Sequence, residues 1–264
     1  MNKKMLVRDM MSKPVTIAKS AAITEAFEKM LDEEVDPLIV TNNGAVMGTI
    51  SRKAIADTLG SSKLGLKKPS GVIAPAQLHV AKRTDEEFTS VYPDENAEIL
   101  IPLLQEYKLV VVLDEEHRLI GQVKGKDLLK SMQPATSLVN VLQAAYTIRS
   151  DERVVHLRRR MLDEDISKFV VMDDNGILGI VTETDVARAM KAFREVVDDK
   201  YQDHRIRNLL VRDIMTTHPL TVGIDEEIKT VIELLLEKRI SSIPVMKDGR
   251  LTGMVTTQSL LAAL

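Results

Sequence analysis

The chain repeats one short pattern four times, and this repetition constrains the fold more than any other feature of the sequence. In each copy a glycine follows a turn and opens an apolar stretch. The four copies are GTISRKAI at Gly48, GQVKGKDL at Gly121, GIVTETDV at Gly179 and GMVTTQSL at Gly253. The middle interval is shorter than the two outer ones, which predicts two tandem pairs rather than four evenly stacked units. A second similarity supports the repetition, since VRDMMSKP at Val7 matches VRDIMTTHP at Val211.

Every copy follows the same order of periodicities, as the third copy illustrates. A short extended segment (147–148) precedes a stripe of apolar residues at helical spacing, Val154, Leu157 and Met161. A short run rich in β-branched residues (169–172), a second strand and a final helix follow. Each unit therefore has the order β-α-β-β-α in about 55 residues, a size at which a core is marginal alone. Burial against a neighbouring unit is expected.

The amino-acid composition argues against several classes of function for this chain. The 264 residues include no cysteine, which excludes disulfides, thiolate nucleophiles and sulfur-ligated metals. The formal net charge of -3 argues against nucleic-acid binding driven by bulk charge. No apolar run approaches the roughly 18 residues that span a bilayer, and the N-terminus lacks the apolar core of a signal peptide, so a cytoplasmic location is expected. Aromatic residues make up only 3%, which predicts several small aliphatic cores.

The pattern resembles a known family. The order of elements, together with GIVTETDV in the third unit and RISSIPVMKDGRLTGMVT in the fourth, is similar to that of CBS (cystathionine-β-synthase) domains over nearly the whole chain. The resemblance implies an α+β fold of four tandem β-α-β-β-α CBS repeats paired into two modules. The expected repeats are 1–62, 72–133, 134–192 and 205–264, and the expected modules are 1–133 and 134–264. Segment 60–71 is expected to be a linker, and segment 191–207 to extend the last helix of the third repeat.

The resemblance also implies a function. Paired CBS domains, called Bateman modules, commonly bind adenosine compounds (AMP, ADP, ATP or S-adenosylmethionine) in clefts between their sheets, and they often form homodimers. The chain shows no Gly-x-Ser-x-Gly elbow and no convincing nucleophile–base set, so a non-enzymatic regulatory protein that signals to a separate effector is expected. The five histidines lack metal-ligand spacing, and no metal is expected.

The third repeat carries the most complete binding pattern. In CBS domains, Gly-h-h-[Ser/Thr]-x-x-Asp ends a strand at the hydroxyl residue and opens a helix at the aspartate, which accepts ribose hydroxyls. The resemblance assigns Asp185 to ribose, and Thr182 and Thr184 to ribose or phosphate. Lys168 is the expected phosphate contact. The backbone at Ile166, Phe169 and Val170 is expected to line the base, with the segment from Asn140 to Ala145 opposite.

The fourth repeat retains part of this pattern. It keeps Thr256 but has Ser259 at the aspartate position, and a serine can bind ribose only without charge. Its other segments that resemble base- and phosphate-contacting residues contain His218, Ser241, Ser242, Ile243 and Pro244. These residues are expected either to help the Asp185 site or to form a weaker second site.

The first two repeats depart further from the pattern. The second has Asp127 but Lys124 where threonine is expected, so a lysine could meet a phosphate, although lysines in a first helical turn are also typical of a plain surface. The first repeat has Ser51 and Ala54 and lacks the aspartate, so its cleft is expected to be empty or structural.

Several alternatives remain open. Thr182-x-x-Asp185 is also the pattern of a helix capping box, which needs no ligand. The chain would then be a ligand-free interaction scaffold. A nucleic-acid-binding regulator is a further alternative, although the arginines at 158–160 have acidic neighbours on the same helix and are typical of a solvated face.

Overall fold

The computed structural model describes residues 5–55, 78–196 and 208–264, and for 190–196 it describes the backbone alone. The expected linker (60–71) and the segment 197–207 lie outside the described residues. The chain divides into two compact units, Met1–Gln133 and Pro134–Ala263, and each unit contains two repeats.

The described part of the first unit contains two successive sets of strands and helices. The first repeat comprises β1 Thr16–Ala18, α1 Ile23–Asp32, β2 Leu38–Asn42, β3 Ala45–Ile50 and a helical turn at 52–55. The second comprises β4 Ser90–Val91, α2 Leu100–Glu106, β5 Leu109–Leu113, β6 Leu119–Lys124 and α3 Gly125–Leu129.

The second unit follows the same order. The third repeat comprises β7 Thr147–Arg149, α4 Val154–Asp163, β8 Lys168–Asp173, β9 Gly176–Thr182 and α5 Glu183–Val196. The fourth comprises β10 Thr216–Thr217, β11 Val222–Gly223, α6 Ile228–Glu237, β12 Ser242–Lys247, β13 Arg250–Thr256 and α7 Thr257–Leu261. The predicted α+β class and the β-α-β-β-α order are confirmed in these elements.

Each repeat builds one small mixed sheet. The first main strand runs parallel to the second, and the second forms an antiparallel hairpin with the third. A parallel pair needs a crossover connection, which the first helix of each repeat provides. Hairpin turns lie at Asn43-Gly44 and Asp248-Gly249, and all four residues have positive φ, as a type I′ hairpin turn requires.

The four cores are mainly aliphatic, as the composition predicts. In α4 the predicted stripe of Val154, Leu157 and Met161 is buried and packs against Phe169 of β8. Phe27 and Phe169 are the buried aromatic side chains among the described residues, and isoleucine, leucine, valine, methionine and alanine fill the remaining apolar core.

The repeats of one unit also share a core, because neither repeat encloses enough apolar surface by itself. In the first unit Ile39 of β2 packs with Leu109 and Val111 of β5. In the second unit Leu209 and Val211, which precede the fourth repeat's strands, complete the core of the third repeat.

Close crossings explain the four repeated glycines. The residues ahead of the first main strand of each repeat, here called its leading segment, pass over the third strand of the other repeat in the same unit. The bridges that mark these crossings are Ser12 with Gln122, Asp85 with Thr49, Gln143 with Met254, and Thr216 with Ile180. A Cβ atom at Gly179 would lie 2.6 Å from the main-chain oxygen of Thr216, and one at Gly253 would lie 2.8 Å from that of Gln143. The glycines therefore admit the leading segment that joins two repeats into one unit.

A bulge accompanies every crossing. The register of each hairpin shifts immediately after the residue that lies opposite the repeated glycine. These residues are Val40, Val112, Val171 and Val245. A bulge bends its strand and increases the local twist. The third strand of each repeat then leads directly to the junction with the last helix, where the sequence places the candidate site.

Candidate functional site

A capping box joins β9 to α5 in the third repeat. The N–H group of Thr182 donates to Oδ2 of Asp185 at 2.8 Å, and the Thr182 hydroxyl donates to the same oxygen at 2.6 Å. The N–H group of Asp185 donates to Oγ1 of Thr182 at 3.4 Å. Among the described residues, every hydrogen bond to the carboxylate of Asp185 uses Oδ2, which leaves Oδ1 for a further donor. Helix capping therefore uses one carboxylate oxygen, and the other accepts no hydrogen bond among the described residues.

The environment of this carboxylate suits a ligand with donors and negative charge. Asp185 is half-buried and lies in the first turn of α5, which also contains Thr184. The first turn of a helix has the positive end of the helix dipole, although the N–H groups of Glu183 and Asp185 already donate to Ser167 and Thr182. A carboxylate acceptor thus lies beside an end of the helix that favours anions.

Lys168 begins β8 directly opposite Thr182, because the two residues are cross-strand partners. The Nζ atom of Lys168 donates to Oγ of Ser241 at 3.1 Å, and this bond connects the third repeat to the fourth. The structure therefore brings a cation, a carboxylate and hydroxyl groups from two repeats to one junction.

The residues expected to line a base occupy a different environment. The side chains of Ile166, Phe169 and Val170 are buried in the core, and the N–H group of Val170 donates to the main-chain oxygen of Tyr146 at 2.8 Å. A ligand could reach these three only through main-chain atoms that are not already paired. Asn140 is exposed, and its side-chain amide donates to Thr136 at 2.9 Å.

The fourth repeat closes the equivalent junction without charge. The hydroxyl of Ser259, 6% exposed, accepts from the N–H group of Thr256 at 3.0 Å and donates to the main-chain oxygen of Thr256 at 3.0 Å. The Thr256 hydroxyl accepts from the N–H group of Ser259 at 2.9 Å and donates to Oε1 of Gln143 at 3.1 Å. The protein itself thus satisfies the polar groups of this junction.

The other candidate residues of the fourth repeat divide by exposure. Ser242, Ile243 and Pro244 are buried in β12, whereas Ser241 and His218 are exposed. His218 has a φ of 52° and its N–H group donates to the main-chain oxygen of Leu178 at 3.3 Å, so it lies against β9 of the third repeat.

In the second repeat, donors from the protein reach both carboxylate oxygens of Asp127. The N–H group of Lys124 donates to Oδ2 of Asp127 at 3.1 Å, and Nζ of Lys130 lies 3.0 Å from Oδ1. The hydroxyl of Ser12, from the leading segment of the first repeat, lies 3.3 Å from Oδ2. Asp127 is only 7% exposed. Protein donors therefore occupy both of its carboxylate oxygens.

The first repeat has no carboxylate at this position. The N–H group of Ala54 donates to Oγ of Ser51 at 3.2 Å, which caps the turn, and the N–H group of Arg52 donates to Asp36 at 2.8 Å. Ala54 stands where the third repeat has Asp185, and the carboxylate at this junction is that of Asp36, which accepts from the helical turn.

A cleft of about 490 Å³ lies elsewhere in the second unit, at the turns of the two hairpins. Its lining includes Ala145, Asp173, Asn175 and Arg250. These residues lie near the start of β9 and β13, whereas Asp185 follows the end of β9. Ala145, predicted to line a base, therefore contributes to a different concavity from the Asp185 junction.

Sequence reasoning missed two residues that determine these junctions, Ser12 and Lys130, and it placed Gln143 within the base-lining segment 140–145 without predicting its bond to Thr256. The signal for Ser12 was present, because VRDMMS aligns Ser12 with Thr216 of VRDIMT, and Thr216 crosses the Asp185 repeat. Lys130 lies three residues after Asp127, one helical turn away, where a cation can reach a carboxylate. The contact of Gln143 with Thr256 depends on tertiary structure alone.

Other chemistries find no support in the described residues. No group of three or more histidine, cysteine, aspartate or glutamate side chains there could hold a metal ion. No helix in the same residues is long and apolar enough to cross a membrane. Arg159 and Arg160 pair with Asp163 and Glu164 at 3.2 and 3.0 Å, which agrees with a solvated helix face.

The chain belongs to the CBS domain family. The family profile matches residues 7–61, 81–134, 140–192 and 211–264, which together include most of the sequence. Each match contains one of the repeated glycines and one strand–helix junction.

Related proteins share the four-repeat arrangement. Protein MJ1225 of Methanocaldococcus jannaschii is 21% identical over 266 residues, which cover 94% of each chain. Its crystal structure has a TM-score of 0.79 at 20% identity, over 98% of this chain and 99% of that one. A protein from Pyrococcus horikoshii has a TM-score of 0.64 at 19% identity over the same shares of the two chains. At these identities the likeness establishes the fold.

CBS repeats also occur as parts of enzymes. The inosine-5'-monophosphate dehydrogenase of Korarchaeum cryptofilum is 27% identical over 143 residues, which are 54% of this chain but 26% of the enzyme. The similarity therefore covers about a quarter of that enzyme.

Proposed function

We propose that the protein is a regulatory sensor that binds an adenosine nucleotide or adenosyl compound at the Asp185 junction and signals to a separate effector protein. The observation that carries this proposal is the convergence of Asp185, Lys168 and Ser241 at one junction between the third and fourth repeats. The proposal includes 1–133 and 134–264 as functional modules, a homodimer and a cytoplasmic location, as the family resemblance implies.

The acceptor for a ribose is Oδ1 of Asp185. A ribose presents two neighbouring hydroxyl groups, and a carboxylate oxygen that is not used for capping can accept from them. Oδ2 keeps its bonds from Thr182, so a bound ligand would leave the start of α5 intact. Thr182 and Thr184 supply further hydroxyls in the same turn.

Lys168 supplies the cation for a phosphate or a carboxylate of the ligand. Its bond to Ser241 is a charge-assisted bond to a neutral hydroxyl, and an anionic oxygen is a stronger acceptor for an ammonium group. Ligand binding would transfer Lys168 from Ser241 to the anion. The ligand would then replace the direct bond between the third and fourth repeats. The resulting change in how these two repeats contact each other would be the signal.

Two substitutions at equivalent positions test this function. In Asp185→Ser the capping box is retained, since Ser259 fills that position in the fourth repeat and caps the junction through its hydroxyl. Isothermal titration of the full chain with AMP, ATP and S-adenosylmethionine should give binding to wild type and at least a 100-fold weaker affinity for Asp185→Ser. The matched control, Ser259→Ala, should bind as wild type does.

The alternative function is a ligand-free scaffold, which the capping bonds of Asp185 would favour. Absence of binding by wild type to all three compounds would contradict the sensor proposal and support the scaffold. Equal affinities of wild type and Asp185→Ser would mean that the ligand binds somewhere other than this junction.

A further inference from the structure

The second repeat offers an aspartate at the same position as Asp185, and the chain itself fills its surroundings. Asp127 follows Lys124 by three residues, as Asp185 follows Thr182. Each aspartate accepts from the main-chain N–H group at the end of the preceding strand, at 3.1 and 2.8 Å. The two junctions therefore begin from the same local geometry.

The two junctions differ first in the side-chain hydroxyl that lies beside Oδ2 of the aspartate. In the third repeat the Thr182 hydroxyl provides it, at 2.6 Å. Lys124 has no hydroxyl, and Ser12 from the first repeat lies in its place, 3.3 Å from Oδ2 of Asp127 and 3.2 Å from the main-chain oxygen of Gln122. A hydroxyl has one proton, and the charged oxygen is the stronger acceptor.

The second difference lies at Oδ1. Lys130 approaches this oxygen of Asp127 to 3.0 Å. The equivalent residue of the third repeat is Arg188, and Thr216 is equivalent to Ser12. Neither of these hydrogen-bonds to Asp185 among the described residues. A hydroxyl and a cation are thus present at equivalent positions in both units, but only the first unit directs them to the carboxylate.

We infer that Ser12 and Lys130 occupy the ligand position of the second repeat from within, so that the chain binds one ribose-bearing ligand, at Asp185, and uses Asp127 to fasten its first two repeats. The ligand class rests on the proposed function. The fastening role does not, because it follows from the burial of Asp127 and the bond from Ser12 across the repeats.

Burial explains why Asp127 serves structure rather than a ligand. Its side chain is 9% exposed, and a buried carboxylate requires donors to offset the loss of water. The side chain of Lys130 is 60% exposed, so its ion pair alone is weak. Ser12 makes the coupling specific, because it connects the leading segment of the first repeat to the helix start of the second.

A double-mutant cycle tests the fastening without any ligand. Ser12→Ala, Asp127→Ala and the double variant are compared by thermal denaturation of the full chain. We expect Ser12→Ala to lower the Tm by about 3 °C in wild type and by much less when Asp127 is already absent. If Asp127→Ala does not fold, Asp127→Ser replaces it, because Ser259 caps the equivalent junction of the fourth repeat through its hydroxyl.

The equivalent cycle in the second unit is the matched control. Thr216→Ala and Asp185→Ser should act additively, because the described part of the chain shows no hydrogen bond between these two side chains. Additive effects of Ser12→Ala and the Asp127 substitution would overturn the inference, and coupling confined to the first unit would support it.

Titration with AMP tests the single site. Wild type and Asp127→Ser should each bind one AMP per chain, and Asp185→Ser should lose it. Two AMP molecules per chain, with one lost in Asp127→Ser, would overturn the inference while leaving the sensor function intact. No binding by wild type would overturn the sensor function and the single-site statement, and the denaturation cycle would still decide the fastening role.

Discussion

The second and third repeats have the same aspartate after the same strand, yet they place it in opposite situations. Asp127 is 7% exposed and protein donors reach both of its oxygens, whereas Asp185 is half-buried and uses one oxygen for capping. The two hydrogen-bond environments differ because of the residue that immediately precedes each helix. Thr182 brings its own hydroxyl to the carboxylate, and Lys124 does not.

The same acidic residue therefore has two different hydrogen-bond environments in one chain. In both repeats Oδ2 accepts from the residue that precedes the helix, and the two junctions differ at Oδ1. In the third repeat the second oxygen is left for an external donor. In the second repeat Lys130 takes that place, and Ser12 of the sister repeat replaces the missing hydroxyl.

The largest effect should come from removing each acidic group in turn. Asp127→Ala removes a helix cap and leaves the partly buried donors of Ser12 and Lys124 without this acceptor, and the free energy of unfolding should fall by about 3 kcal/mol. Asp185→Ala removes a helix cap and should cost about 1 kcal/mol. Urea denaturation of the two variants measures both values, and equal losses would contradict the contrast in burial.

Glycine substitutions sharpen the comparison at the crossings. A Cβ atom at Gly179 would lie 2.6 Å from the main-chain oxygen of Thr216, whereas one at Gly121 would lie 2.8 Å from Sδ of Met11, at the flexible end of a side chain. Gly179→Ala should therefore cost about 2 kcal/mol and Gly121→Ala less than about 1 kcal/mol in the same denaturation experiment. Gly223→Ala is the control, since no atom lies within 4 Å of the added Cβ. A larger loss for Gly121→Ala than for Gly179→Ala would be inconsistent with these distances.

Lysine substitutions compare the two junctions as binding sites. Lys168→Met should lower the affinity for AMP about 10-fold, because one charge-assisted bond is worth about 1.5 kcal/mol. The affinity for adenosine, which lacks a phosphate, should not change. Lys124→Met should change neither affinity. Calorimetric titration with both compounds distinguishes the loss of a phosphate contact from damage to the whole binding site. Equal weakening of AMP and adenosine would place Lys168 in a structural role.

The smallest expected effect concerns Ser241. Ser241 accepts from Lys168, so Ser241→Ala should remove one acceptor that competes with a phosphate for this ammonium group and should raise the affinity for AMP about threefold. Titration beside wild type measures this change, and Ser12→Ala is a control in which AMP affinity should not change. Weaker binding by Ser241→Ala would mean that Ser241 contacts the ligand itself.

Much of the fold was readable in the sequence, because glycine, turn residues and apolar periodicity act locally. The stripe of Val154, Leu157 and Met161 marks α4, and Asp248-Gly249 marks a hairpin turn. The repeated glycines were also visible, although their reason was not. They admit a leading segment from the sister repeat, and a crossing between distant segments leaves no local periodicity.

The candidate site was readable only in part. The pattern at 179–185 identified Thr182 and Asp185, and the position between the repeat's first helix and its next strand identified Lys168. The family resemblance also assigned the backbone at Ile166, Phe169 and Val170 to a base. The side chains of all three are buried, Phe169 and Val170 in the central strand β8 and Ile166 just before it. Sequence ranked Asp185 above Asp127 because Lys124 replaces the expected threonine, but it could not show that Ser12, 115 residues from Asp127 along the chain, lies beside that aspartate.

The sequence by itself determined the four β-α-β-β-α repeats, their turns, their aliphatic cores and the residue types at each strand–helix junction, since these depend on neighbours within a few positions. The tertiary structure decided which leading segment crosses which strand, and hence which carboxylate has an oxygen left for a donor from outside. The physical reason is that hydrogen-bond capacity is filled by whatever donor folding brings within about 3 Å, and that donor can come from any part of the chain.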